Sequence, residues 1–257
     1  MPELPDLSAF SHNLQKKLKG KTIKNISIHT TKKLNASRGE FEQALKHQTI
    51  EKVERNGKEL YFTTKDGTVF ALHLMLRGQL FVDNKEHKSA VVEILFDDDT
   101  RFVMADYQGL ATIRLNPEEP DAPDALDGQV TLKYFSDKLA GTKATIKNFL
   151  LDQHNLRGIG NAYADEILWD ARIAPFSICS KIPEEQVKDL YHSIRKVLTH
   201  AEKQILQSNP DIISGEVRDF MLIHNANRTE SPDGAKIHQK MAGGRKTYYT
   251  DEQDLYK

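Results

Sequence analysis

The sequence is poor in cysteine, in unbalanced charge and in long apolar runs. Of its 257 residues one is a cysteine, Cys179. No disulfide can form within the chain, which suits a reducing compartment, and a four-cysteine zinc site is ruled out. No apolar stretch is long enough to cross a membrane, and the first residues lack the apolar run of a secretory signal. The sequence therefore predicts a soluble, intracellular protein. Charge is nearly balanced, with 36 Lys and Arg against 37 Asp and Glu for a formal net charge of −1. Taken alone, that balance argues mildly against a nucleic-acid partner. A chain of this kind that binds DNA has to segregate its charge, a basic face set against acidic loops. Apolar residues are ample: 39% are hydrophobic and 8% aromatic, enough for packed cores and too many for a disordered chain. The length allows one large domain or two.

Patterning divides the chain. "LSAFSHNLQKKLKG" sets Leu7, Phe10, Leu14 and Leu18 at helical spacing and closes on Gly20. From residue 22 to 115 the pattern changes to short alternating runs, among them "KTIKNISI", "ELYFTT", "TVFALHL", "AVVEILF" and "TRFVMA". The turn signals "RNGK", "KDGT" and "DDDT" separate them. This predicts about eight strands in two packed sheets, so that residues 1–115 form a β-sandwich domain with a leading helix. The acidic, proline-rich "NPEEPDAPDALDG" marks a linker over 116–129. Residues 130–214 read as a helical domain. It contains the short helices "KATIKNFLLDQ" and "NAYADEILWDA" and a long one after Pro183. In the tail, 215–257, alternation around Gly243-Gly244 in "KIHQKMAGGRKTYYT" predicts a β-hairpin that carries Lys236, Lys240, Arg245 and Lys246. The fold class is thus α+β and multidomain.

Two stretches carry candidate chemistry. In "RGIGNAYADEILW" a Gly-x-Gly-Asn turn opens a helix, and the free amides at such a start seat a phosphate. Gly160 and Asn161 are the candidate anion contacts, although Asn161 as a plain helix cap reads equally well. The other stretch is the opening "MPELPD", in which Glu3 and Asp6 suit the start of a helix.

Taken together, Pro2-Glu3, Lys58 in "RNGKELYF", "GIGNAYADEILW" and "GGRKTYY" occur in the order and spacing of the formamidopyrimidine-DNA glycosylase and endonuclease VIII family. The chain resembles that family over nearly its whole length. The resemblance implies a helix–two-turns–helix domain and a bifunctional DNA glycosylase and abasic-site lyase of base-excision repair. Its Pro2 amine, freed by removal of Met1, would attack deoxyribose C1′. An α-amino group has a pKa of roughly 7.7–8, so a useful fraction is neutral near pH 7. The Schiff base that results would then drive strand nicking by β- or β,δ-elimination. By resemblance Glu3 is the acid that helps open the sugar ring, a role that burial favours. Lys58 serves the phosphates and sugar beside the lesion. Arg245 and Asn161 hold phosphate at the flipped nucleotide, and Lys147 in "TIKNFLLDQ" is a further backbone contact. A flipped nucleotide leaves a gap that protein must fill. Here "HLMLRG" puts Leu76 at the filler position. In "ADYQGLATI" the Arg-Phe pair of many relatives is absent, leaving Tyr107, Gln108 and Leu110.

Other departures concern the acid residues, the finger and the substrate. Asp6 stands where many relatives have a second Glu. Glu230, Asp233, Thr250 and Gln253 stand where many relatives place four zinc-binding cysteines. These are poor zinc ligands, so the resemblance implies a zincless finger with no metal and no cofactor. A short segment around "DIISGEVRDF" points to a broad substrate range of formamidopyrimidines, oxidised pyrimidines and abasic sites in double-stranded DNA, acted on by a monomer with no membrane role. The location implied is cytoplasmic, on nucleoid DNA, in a bacterium and nuclear in a eukaryote. Two other readings stay open: a DNA-structure binder on the same scaffold that has lost base excision, and a helix–two-turns–helix module for RNA or ribosomal contacts.

Overall fold

A computed structural model describes residues 1–30 and 34–257. They form two compact units: Met1–Glu119 with Ile205–Glu216, and Pro120–Gln204 with Val217–Lys257.

The first unit opens with α1 (Leu4–Leu18), whose Leu7, Phe10, Leu14 and Leu18 are all buried. Each contributes roughly 1.5–3 kcal/mol by leaving water. Eight strands follow: β1 (Ile23–Ile28), β2 (Ile50–Asn56), β3 (Glu59–Thr64), β4 (Val69–His73), β5 (Gln79–Asp83), β6 (Ala90–Phe96), β7 (Arg101–Ala105) and β8 (Thr112–Leu115). They make two four-stranded antiparallel sheets, in the orders β1-β6-β7-β5 and β2-β3-β4-β8. Phe62 stacks on Phe70 at 4.6 Å within one sheet and meets Phe102 of the other at 5.3 Å, so aromatic packing joins the two inner faces. The expected turns lie where Gly57, Gly67 and Asp99 adopt positive φ.

The strand reading of 22–115 needs one correction. Residues Arg38–Leu45 form a helix, α2, closed by a Ser37/Glu40 capping box. "SRGE" carries that signal, but a helix of two turns with Gly39 inside it has weak periodicity.

The second unit contains α3 (Leu132–Ala140), α4 (Ile146–Leu151), α5 (Asn161–Asp170), most of α6 (Glu184–Ser208) and a hairpin of β9 (His238–Ala242) and β10 (Arg245–Tyr249). Thr131 and Thr145 cap α3 and α4. Gly243 and Gly244, at φ +55° and +73°, make the two-residue turn that the strand twist requires.

Two segments fall differently from the sequence reading of 116–129 and 215–257. Ala122 and Ala125 are buried, and Ala125 N donates to Arg157 O at 2.9 Å, so the acidic segment packs into the second unit instead of hanging as a tether. Residues 205–216 belong to the first unit, where Asn13 Nδ2 donates to Ile212 O and Leu80 N to Ser214 Oγ.

Candidate functional site

In the first unit, Pro2 is buried and lines a cavity of about 570 Å³ with Met1, Leu76, Arg77, Gln108 and Glu216. Two residues of the expected set, Pro2 and Leu76, therefore share one cavity. α1 begins at Leu4, and Glu3 is its N-cap residue. Glu3 N donates to Asp6 Oδ2 at 2.8 Å and the pair forms a capping box, with Glu3 itself 5% exposed next to Pro2 in the chain. Cap and candidate acid are thus the same residue.

Lys58 sits half-buried in the two-residue turn between β2 and β3, next to Gly57 at φ +62°. Arg55 fixes this turn by donating from Nε to Ser8 Oγ of α1 at 2.9 Å and from NH1 to Gly57 O at 3.2 Å. The neighbouring Glu59 is held by Arg114, whose NH2 reaches both carboxylate oxygens, at 2.7 and 2.6 Å.

Leu76 is not a strand residue. β4 ends at His73, and residues 74–78 fold into a tight loop with Met75 at φ +52° and Leu76 55% exposed at its tip. The loop closes through Gly78 N donating to Leu74 O at 2.8 Å, and a Cβ on Gly78 would lie 2.4 Å from that same oxygen. The second loop is built by Asp106, whose carboxylate accepts from the amides of Gln108, Leu110 and Ala111 at 3.0, 2.7 and 2.8 Å. Tyr107, 70% exposed, stands at its tip and Gln108 reaches the cavity.

In the second unit, α4, two turns and α5 form the helix–two-turns–helix. Gln153 holds the intervening glycine turn by accepting from Gly158 N at 2.9 Å and donating to Ile159 O at 3.0 Å. Buried Gly160 is the N-cap of α5. Asn161 Nδ2 donates to Lys246 O at 2.9 Å, which docks the start of α5 on β10 one residue from the exposed Arg245.

Lys147 is corrected. It is 1% exposed, and its Nζ donates to Asp165 Oδ1 at 2.6 Å and Thr247 Oγ1 at 2.7 Å. An amine enclosed this way cannot reach a DNA backbone. Asp165 also accepts from Tyr248 N at 3.0 Å and lies 2.7 Å from His224 Nδ1. A buried carboxylate thus ties α4, α5 and β10 together. Helical spacing on a short element could not distinguish this lysine from an exposed one.

The four finger positions are engaged in other bonds. Asp233 pairs with Arg172, Gln253 Oε1 accepts from Thr250 N at 2.8 Å, Gln253 Nε2 donates to Ile173 O at 2.8 Å, and Glu230 bridges Lys236 through the backbone. Arg172 also pairs with Glu252 at 2.9 Å and lies 4.9 Å over the Trp169 ring. Tyr248 packs with Trp169, Ile223 and Ile237 beneath the hairpin. Among the described residues no three His, Cys, Asp or Glu side chains are grouped to hold a metal ion.

Sequence reasoning did not find Glu216. No local motif marks it, and only the fold carries it across 215 residues to the Met1 amine, with which it forms an ion pair.

The family model of the formamidopyrimidine-DNA glycosylase N-terminal domain matches residues 1–113, and that of the formamidopyrimidine-DNA glycosylase H2TH domain matches 122–209. A formamidopyrimidine-DNA glycosylase of Lactobacillus johnsonii is 31% identical over 278 residues, covering 100% of both chains. One of Arabidopsis thaliana is 30% identical over 285 residues, covering 100% of this chain and 72% of its own. The Lactococcus lactis Fpg, solved in complex with an abasic-site-containing DNA, superposes with a TM-score of 0.88 at 24% identity, covering 98% of this chain and 99% of that one. By the two matched domain models and by identity along its full length to curated members, this chain belongs to the formamidopyrimidine-DNA glycosylase family.

Proposed function

We propose that the chain is a bifunctional DNA glycosylase and abasic-site lyase of base-excision repair, with Pro2 as nucleophile after loss of Met1. Family membership supports the reaction class. The observation that carries the residue assignment is the placement of Pro2 in the 570 Å³ cavity, next to the capped Glu3.

The Pro2 nitrogen gives its lone pair to C1′ of a flipped nucleotide, and the glycosidic bond breaks with its electrons leaving on the base. Loss of the N–H proton to water and cleavage of C1′–O4′ give the iminium, with Glu3 protonating O4′. The iminium acidifies C2′, and loss of that proton expels the 3′ phosphate. Lys58, on its braced turn, serves the phosphates or sugar beside the lesion. Leu76 and Tyr107, exposed at the tips of hydrogen-bonded loops, enter the gap left by the flipped nucleotide. In the second unit, Arg245 and Asn161 bind phosphate together with the amides following Gly160. While Met1 is attached, the Pro2 nitrogen is an amide and has no nucleophilic lone pair.

The substrate is double-stranded DNA with formamidopyrimidines, oxidised pyrimidines or abasic sites, acted on by a monomer without metal or cofactor. Among the described residues no helix is long and apolar enough to cross a membrane. The working location is nucleoid DNA in a bacterium and the nucleus in a eukaryote. Duplexes carrying one oxidised base test the reading by base release and strand nicking. Both activities are expected, and both vanish in Pro2→Gly. Binding to these duplexes without release or nicking of any of them would favour the DNA-structure binder instead.

A further inference from the structure

The segment 212–216, whose Gly215 and Glu216 line the cavity, has no role in the steps above. It is nevertheless anchored: Asn13 Nδ2 donates to Ile212 O at 2.8 Å and Leu80 N to Ser214 Oγ at 3.0 Å. Gly215, at φ +92°, then turns the chain so that Glu216 lines the same cavity as Pro2 and its carboxylate pairs with the terminal ammonium of Met1. We propose that Glu216 is a positioning residue for the nucleophile, receiving the Pro2 ammonium once Met1 is gone and then facing the cationic iminium. The inference rests on the Pro2 reading.

Removing Met1 moves the terminal nitrogen back by one residue, about 3.8 Å along the Cα trace. Glu216 has a side-chain exposure of 36% and follows a glycine, and the proposal requires its carboxylate to follow the nitrogen over that distance. Of the other charged groups at this end, Glu3 and Asp6 form the capping box of α1, Glu3 being the candidate acid for O4′, and Arg77 faces the cavity with the opposite sign. In the attack the Pro2 N–H proton leaves to water and Glu216 stays ionised, so it offsets the positive charge on nitrogen in both the ammonium and the iminium. A carboxylate there favours the charged amine, holding the nitrogen in place at the expense of activity at low pH.

The test uses wild type, Glu216→Gln and Glu216→Asp with Met1 removed and intact mass verified. Borohydride-trapped adduct is measured in single turnover on abasic-site duplex between pH 5 and 9, with thermal melting as the fold control. In Glu216→Gln the acid limb is expected to move to lower pH by roughly one unit, with less trapped adduct at the alkaline plateau. Glu216→Asp restores most of both. Coincident pH profiles in three folded proteins would overturn the proposal while leaving Pro2 in place. No adduct in wild type, or an adduct that survives Pro2→Gly, would overturn the Pro2 reading itself.

Discussion

Lys147 and Arg245 carry the same charge and do different work. Arg245 is exposed at the start of β10, whereas Lys147 is enclosed between Asp165 and Thr247. Lys147→Ala leaves Asp165 buried without its lysine, and removing one partner of a buried pair costs about 3–5 kcal/mol. Urea unfolding is expected to register that loss. The variant, where folded, should keep the wild-type slope of log K against log salt. Arg245→Ala is expected to reduce that slope by about one, the mark of one lost phosphate contact. A reduced slope in folded Lys147→Ala would restore the lysine to the DNA interface. Cys179 is the third residue whose setting decides its chemistry: burial pushes its thiol up to about 12. Thiol reagents should modify it only on unfolding.

At the level of elements, the loops of the first unit and the base of the hairpin in the second each carry a prediction of their own. Because a Cβ on Gly78 would lie 2.4 Å from Leu74 O, Gly78→Ala has to reshape the loop that presents Leu76. Single-turnover excision from duplex DNA is expected to fall roughly 10–100-fold, the cost of misplacing a positioning element by about 1 Å. Unchanged excision would mean the loop does not enter the gap. At the base of the hairpin, burial pushes the Glu252 carboxyl up, but bonds from Trp169, Thr250, Ser231 and Arg172 outweigh it and hold its pKa at about 2. A depressed acid adds stability that is complete above the ordinary carboxylate value of 4.5 and is lost as pH falls toward 2. Trp169, the one tryptophan, donates from Nε1 to Glu252 and reports the change. Its fluorescence should change across that window in wild type and not in Glu252→Gln. These elements also show what the sequence could say. "ELYFTT" and "AVVEILF" match β3 and β6 residue for residue, because alternation on a half-buried sheet leaves a period of two. The short α2 and the loop around Leu76 leave no such period. "HLMLRG" looks like continuing strand until Met75 turns to positive φ.

Across the whole molecule, near-zero net charge has to be reconciled with a DNA substrate. The sequence answers only through motifs that coincide: Pro2-Glu3, Lys58, the glycine turn before α5 and the Gly243-Gly244 hairpin. The glycine turns are places where backbone geometry restricts the residue choice, and the others sit in short local motifs, so each leaves a readable trace. Glu216 and the pairing of Lys147 with Asp165 depend on long-range packing and leave none. If the basic groups gather on one face despite the net charge of −1, affinity for abasic-site duplex should fall linearly on a log–log salt plot. The slope should be near −0.9 per phosphate contacted, and a flat response would contradict such a face. The most direct measurement of the chemistry is to reduce the enzyme–abasic DNA complex with borohydride, digest it and locate the attached deoxyribose by mass spectrometry. The expected result is one adduct, on the nitrogen of Pro2 in an N-terminal peptide that lacks Met1. An adduct on Lys58 or any other lysine, or on a chain that retains Met1, would contradict the assignment.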